Sequence, residues 1–341
     1  MLNIQFLHSD QSFSELSDIW EALLSRSTTN TPFQQPGYLD TWWSTMGGGE
    51  WDDGELWLGV GKRDDGEIVG IAPLFFNVDR DGRPSIRLVG SAEVSDYLDF
   101  IVSEPATEDF VDALLGSLDV EGPQGWEVLD LPNLPEGSST VQALELAAGK
   151  RGWRVEKERI SAVPFVALGD SWEAYLQAFN SKQRKEIKRK LRRADEYPAR
   201  VSWRIVDRDS PIGPEIEQFL KLMQNDSEKR AFLTEEMLEF FRRLARAFHE
   251  RGWLQLAFLE VAGEPAFGYL NFDYEDKIWV YNSGFNPSHY ELSPGWVLMA
   301  HLIRSAIDHG RTEVDFLRGD ESYKYRLGGV DRYIVRMTIE R

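Results

Sequence analysis

The feature that most constrains this 341-residue chain is an element order that runs through it twice. Helices, a meander of three or four strands, a helix, a strand, a polar segment and a last strand follow one another in each half. Glu127-Val128-Leu129-Asp130-Leu131 in the first half corresponds to Glu313-Val314-Asp315-Phe316-Leu317 in the second. Few residues are identical, so the repeat is argued from the order of elements. It predicts two tandem copies of one α/β (α+β) domain, residues 1–165 and 166–341. Each copy is a mixed sheet flanked by helices, within the usual size of a domain.

Local signals set the elements. Ser12 precedes Leu16, Ile19, Trp20, Leu23 and Leu24, the spacing of one buried helical face under a capping serine. A short helix over 38–46 is expected to stop at Gly47-Gly48-Gly49. Strands at 55–61 and 67–76 flank Asp64-Asp65-Gly66, where Asp-Gly tolerates the positive φ of a hairpin turn. Asp81-Gly82 makes a second turn, and 97–102 reads as a further strand. In the second half, strands at 254–261, 266–272 and 278–283 lead to a helix over 296–309 and strands at 314–316 and 333–339. The second copy holds a tight helix start and a polar cluster that the first lacks, so the first is expected to be the degenerate, structural copy.

Composition excludes several chemistries. The chain has no cysteine, so disulfides, thiolate metal sites and thiol nucleophiles are out. With 42% hydrophobic and 28% charged residues it is a globular chain, and a net charge of −19 argues against general binding to nucleic acid or anionic membrane. Met1-Leu2-Asn3-Ile4-Gln5 lacks a signal-peptide layout, and the longest apolar run, 295–300, is far short of the ~20 residues of a membrane span. A cytoplasmic location and no membrane span are expected. There is no nucleophile elbow, zincin motif, Walker loop or dinucleotide fingerprint. The five histidines show no ligand spacing, so no metal is expected. His301 and His309 fit a packed helix, and His289 fits a loop.

Three segments concentrate chemistry. Between Arg318 and Arg326 stand three cations, the carboxylates of Asp320 and Glu321, and the phenols of Tyr323 and Tyr325. Upstream, Ser293-Pro294-Gly295 reads as a helix start for an anion: serine to cap, proline preorganised, glycine to admit a ligand to free N–H groups. The same three residues fit an ordinary capped helix. Lys182 to Arg193 carries eight cations and one acid, a net +7 that leaves −26 for the rest of the chain. Ile187, Leu191 and Ala194 give it one packed seam and a basic outer face. That face fits either a polyphosphate, an anionic polymer or tRNA, or the protein's own acidic surface. Trp42, Trp43, Trp51, Trp57 and Trp296 fit sugar-stacking platforms or core.

These residues bear a likeness to a known group. Thr31-Pro32-Phe33-Gln34-Gln35-Pro36, Gly70-Ile71-Ala72-Pro73-Leu74, Asp96-Tyr97-Leu98-Asp99, Ser181-Lys182-Gln183-Arg184 with Arg189-Lys190, and above all 315–328 resemble the two-domain cellulose-biosynthesis-type acetyltransferases. Those are large GNAT proteins related to the Fem-like peptidyltransferases. The resemblance implies acetyl-CoA or another acyl-CoA as co-substrate, with pyrophosphate at Ser293-Pro294-Gly295 and pantetheine along Tyr281-Asn282-Ser283. Arg184 and Arg189 are the basic-helix residues it brings to the cofactor. It implies direct attack of an amine or hydroxyl on the thioester. Asp320 or Glu321 would deprotonate or orient the acceptor, Tyr323 or Tyr325 would protonate the thiolate, and Lys324 would stabilise negative charge. Arg318 and Lys324 fit equally well as neutralisers of Asp315 and Asp320 within the turn. The usual GNAT pyrophosphate loop is missing, which leaves the donor open. The readings are acetylation of a sugar, polysaccharide or small molecule, Fem-like transfer from aminoacyl-tRNA to a cell-wall precursor, and a non-catalytic ligand-binding pair. The chain's charge disfavours tRNA, and a monomer or homodimer is expected.

Overall fold

The computed structural model describes residues 2–49, 51, 53–79, 82–90 and 93–341. It divides into two compact units, Met1–Ser161 with Tyr333–Arg341, and Ala162–Arg332. The last strand therefore belongs to the first unit, whereas chain order alone carries the second copy to residue 341.

In the first unit, β1 (Leu2–Leu7), β2 (Glu55–Arg63), β3 (Ile68–Val78), β4 (Pro84–Leu88) and β6 (Val128–Pro135) lie in that order, and β13 (Val330–Glu340) pairs beside β6. The short β5 (Ile101–Val102) pairs with β3. Helices α1 (Ser12–Glu15), α2 (Ser17–Leu24), α3 (Pro36–Ser44), α4 (Met46–Gly49), α5 (Thr107–Glu121) and α6 (Ser139–Lys150) complete the unit. Trp20, Tyr38, Trp42 and Trp126 are fully buried, and of the five platform candidates Trp42 and Trp43 are core while Trp51, Trp57 and Trp296 are half-buried. β7 (Arg154–Ala167) leads into the second unit.

Several local expectations change. Ser12 makes no capping bond, and the first helix breaks at Leu16. The glycine triplet does not stop α3. The break comes at Thr45, and Met46, with φ 46°, starts a further helical turn through the glycines. Only two residues of the expected 97–102 strand pair. Of the expected Asp81-Gly82 turn, Gly82 has φ +80° and donates to Asp79, while Asp81 lies outside the described residues.

In the second unit the sheet order is β7, β12 (Glu313–Asp315), β11 (Lys277–Phe285), β10 (Glu264–Tyr274), β9 (Leu254–Val261) and β8 (Val201–Ile205). Its helices are α7 (Trp172–Gln177), α8 (Ser181–Asp195), α9 (Ile212–Met223), α10 (Ser227–Phe232), α11 (Glu235–Arg251), α12 (Pro294–Asp308) and α13 (Ser322–Arg326). The seam on α8 is real: Ile187 and Ala194 are buried and Leu191 packs against the same core. Apolar α12 lies over the sheet with Val297, Leu298, Leu302 and Ile303 inside.

Among the described residues each unit shows a parallel pairing of three residues. Ser85, Ile86 and Arg87 of β4 face Val128, Leu129 and Asp130 of β6, and Lys277, Ile278 and Trp279 of β11 face Glu313, Val314 and Asp315 of β12. In both, the last residue on the second strand is a buried aspartate held by arginine. Asp130 takes two bonds from Arg336 (2.5 and 2.7 Å) and one from Arg87, and Asp315 lies 3.7 Å from Arg332. The sheets thus equate Asp130 with Asp315, one residue off the alignment made from sequence.

Candidate functional site

The parallel pairing between β11 and β12 ends at Trp279, and β11 continues alone on that side to Phe285. Two strands that start as neighbours and then separate leave a slot between them. A β-bulge falls at the same place: Leu270 faces Asn282 and Asn271 faces Val280, so Tyr281 has no opposite residue. An extra residue shifts the alternation of side chains by one. Ile278 and Val280 point into the core under α12, Tyr281 turns to Phe241 and Phe272 on the other face, and Ser283 and Phe285 return to the α12 side. The bulge is what delivers Ser283 to the slot.

There the chain forms a half-open cavity of about 500 Å³. Its walls come from β10 (Phe267, Tyr269), β11 (Ser283, Phe285), the start of α12 (Ser293, Gly295, Trp296) and α13 (Tyr323), with exposed Tyr290 at the rim. Burial pushes the Tyr323 phenol well above its ordinary value, and the charge of Glu321 pushes it further. Tyr269 is raised by burial too and lies close enough to respond to Tyr323. Neither phenol hydroxyl has a hydrogen-bond partner among the described residues.

Of the residues expected here, Tyr323, Ser283, Ser293, Pro294 and Gly295 do line the cavity. Their details differ from expectation. Ser293 is left-handed (φ 53°, ψ 54°) and makes no capping bond, and its carbonyl already accepts the N–H groups of Trp296 and Val297. A Cβ on Gly295 would stand 2.5 Å from the Phe267 ring, so that glycine admits an aromatic neighbour rather than a ligand. Gly284 likewise makes room for α9, since a Cβ there would lie 2.6 Å from the Met223 nitrogen.

Lys324 is not in the cavity. It is 2% exposed, and its ammonium donates to the carbonyls of Leu317 (2.9 Å), Arg318 (2.5 Å) and Gly319 (3.1 Å) and pairs with Glu321 at 3.0 Å. A lysine has three donors, so this ammonium is spent on the turn. It holds the turn as sequence reasoning allowed, but through backbone carbonyls and Glu321 rather than Asp320. Asp315 is buried and accepts the Leu317 N–H at 2.8 Å. Tyr325 turns away to bond Asp331 at 2.9 Å, and Asp320 is exposed; neither lines the cavity. Among the basic-helix residues, Arg184 donates to the Phe179 carbonyl and Arg189 is bound through both nitrogens to Glu186, at 2.8 and 2.7 Å.

Sequence reasoning missed Tyr269, Phe267 and Lys229, and gave Arg326, one of the three cations of 318–326, no role of its own. Lys229 reaches from α10 to Asn282 Oδ1 (3.0 Å) and to the carbonyl (2.5 Å) and hydroxyl (3.3 Å) of Ser283, and burial depresses its pKa. A bond from a distant helix to a strand end leaves no local signal. Tyr269 was visible as one face of an alternating strand, 266–272, but that face could not be told from core.

In the first unit a chain segment lies in the equivalent space. β6 runs on past the parallel pairing, and the Leu98 N–H donates to the Asn133 carbonyl at 3.0 Å while the Asn133 amide donates to Ser95 at 2.6 Å. The Asp96-Tyr97-Leu98-Asp99 segment is therefore laid along β6. Asp99, raised by burial, is held by the hydroxyls of Ser138 and Thr29.

Comparison with known proteins bears on the fold. The acetyltransferase (GNAT) domain family model matches residues 181–325. No curated protein matches the chain. Among solved structures, FemX shares 14% identity at a TM-score of 0.65, over 98% of this chain and 96% of its own. A conserved protein of unknown function from Bacteroides thetaiotaomicron shares 12% at 0.61, over 99% and 100%. A tandem GNAT protein from the clavulanic acid biosynthesis pathway shares 12% at 0.51, over 99% and 98%. At these identities the likeness is one of fold.

Proposed function

We propose that this chain, a GNAT-superfamily protein with Fem-like relatives in fold, moves an acetyl or other acyl group from acyl-CoA to an amine or hydroxyl of a sugar, polysaccharide or small molecule. The observation that carries the reading is the slot between β11 and β12, opening on a cavity where two phenols have no hydrogen-bond partner among the described residues. An extended arm with amide groups, such as pantetheine, suits the free edge of a strand. The thioester then lies beside Tyr269, Ser283 and Tyr323.

The acceptor attacks the thioester carbon, charge gathers on oxygen and then on sulfur, and the thiolate leaves. Burial keeps the Tyr323 phenol protonated at working pH, so it acts as a hydrogen-bond donor to that charge rather than as a strong acid. Among the described residues no carboxylate lines the cavity, so the acceptor's proton leaves to solvent at the open side. Lys324 and Asp315 hold the turn that presents α13. Acyl-CoA is a cytoplasmic metabolite, and the reaction belongs in that compartment. Among the described residues no helix is long and apolar enough to cross a membrane.

The test is release of free thiol from acyl-CoA with a panel of amines and sugars. Tyr323→Phe is expected to lower turnover about 10²- to 10³-fold, the range for loss of one preorganised donor, with unchanged melting. Undiminished turnover would remove Tyr323 from the chemistry. The exposed cations of α8, Lys185, Lys188 and Arg192, favour a second reading with aminoacyl-tRNA as donor and a cell-wall precursor as acceptor. Transfer from aminoacyl-tRNA without thiol release from any acyl-CoA would install it.

A further inference from the structure

A second cavity, of about 470 Å³, lies beside the first, and Trp296 lines both. One wall is α8, where Lys182, Glu186 and Lys190 recur every four residues and so share a face. Arg326 of α13 also lines it. Among the described residues the only carboxylate lining this cavity belongs to Glu186, and Arg189 already engages both its oxygens. Lys182, Lys190 and Arg326 make no ion pair among the described residues. The Lys190 ammonium sits 5.2 Å from the centre of the Trp296 ring. Burial depresses its pKa, and the cations of Arg189, Arg326 and Arg193 add to that against the pull of Glu186. Three cations without paired counter-charges around a cavity of this size form a seat for an anion.

The start of α12 is a poor one by comparison. Pro294 has no N–H, the N–H groups of Trp296 and Val297 are engaged by the Ser293 carbonyl, and Ser293 does not cap.

We propose that the groove between α8 and α13 seats the nucleotide phosphates of the acyl donor, held by Lys182, Lys190 and Arg326, while the acyl arm of the same molecule passes Trp296 into the aromatic cavity. Phosphate recognition in this chain then rests on side-chain cations instead of a backbone loop at the helix start. The inference deepens the acyl-CoA reading and rests on it for the identity of the ligand, a small thioester with a phosphorylated nucleotide tail. The bulk of the chain carries −26 outside the basic run, which favours a compact anion over a long nucleic acid.

The experiment is calorimetry of the full chain with adenosine 3′,5′-bisphosphate, which has the phosphates and no thioester, and with CoA. Wild type is expected to bind both. Lys182→Glu and Arg326→Glu, at exposed positions, are expected to weaken both ligands about tenfold or more each. Lys221→Glu, an exposed cation on α9 away from the groove, is expected to leave binding unchanged. Equal binding by the groove variants, or equal loss in Lys221→Glu, overturns the groove. Bisphosphate binding that follows the groove residues without thiol release from any acyl-CoA keeps the groove and removes the acyl-CoA reading. Displacement of the bisphosphate by nanomolar acceptor-stem RNA overturns the assignment to a small donor.

Discussion

Replacing Lys324 by methionine separates a structural ammonium from a chemical one. The methionine keeps most of the side chain's length and removes the charge. Three carbonyls then lose their donor: that of Leu317, which is buried, and those of Arg318 and Gly319, which water reaches in part. An unsatisfied buried acceptor costs about 1–3 kcal/mol, and the two partly wet ones cost less, so the sum is about 3–5 kcal/mol. The ion pair with Glu321 adds little to this, because that carboxylate is 59% exposed and water screens it. For a unit of this size each kcal/mol moves the melting temperature by roughly 2–4 °C, so a drop of about 6–20 °C is expected. The assay is thermal unfolding followed by circular dichroism, with thiol release measured per folded molecule at a temperature where the variant is intact. Loss of stability with activity largely kept is the expected pair of results. A variant that melts like wild type and releases no thiol refutes the reasoning and makes Lys324 a participant in the reaction.

Two further substitutions probe the frame around the cavity. Gly295→Ala sets a methyl 2.5 Å from the Phe267 ring and is expected to cost about 1–3 kcal/mol by overpacking, with recovery on adding Phe267→Leu; differential scanning calorimetry reads both. His301 stacks on Trp203 at 5.2 Å, and burial lowers its pKa below the unfolded value. Its contribution is therefore full above the unfolded pKa near 6.5 and is lost as pH falls through the folded one, because the unfolded chain binds the proton more readily. Denaturant midpoints between pH 7.5 and 5 (roughly the window where histidine titrates) should fall for the wild type and fall less for His301→Gln.

The element order was legible because hydrophobic period, turn residues and helix closers are local. Asp64-Asp65-Gly66 and the four-residue seam of α8 do in the fold what their spacing says. The failures lie where a distant partner decides. Gly295 reads as a doorway for a ligand until the Phe267 ring is seen filling it. Lys324 reads equally as a cation of the reaction or a neutraliser of Asp315 and Asp320 until the turn folds back and presents three carbonyls. Arg184 and Arg189 look like the free cations of the basic run, yet a carbonyl and a carboxylate within five residues claim them, while Lys182 and Lys190 are left facing the groove. The bulge at Tyr281 has no signature in composition, and it alone decides that Ser283 faces the cavity.

The same logic bears on where the two copies differ. A strand alternates faces every residue, so a one-residue slip in the alignment exchanges inside for outside. Pairing Val128 with Val314 by resemblance hides that Asp130 and Asp315 occupy the same place at the end of a parallel pairing, each anchored by arginine. Beyond that shared anchor the copies part. In the first unit the chain after β4 returns along β6 and ties Leu98 and Ser95 to Asn133. In the second, the chain after β11 goes directly into the turn before α12, and among the described residues nothing pairs with β11 beyond Trp279 on that side. A slot of this kind is the default product of two strands parting, and filling it takes a dedicated segment. The first copy has that segment in Asp96-Tyr97-Leu98-Asp99, so there the space beyond the anchor is taken up by chain. In the second copy no such segment is present among the described residues, and Lys229 and Lys324 brace the two sides of the slot from outside the cavity.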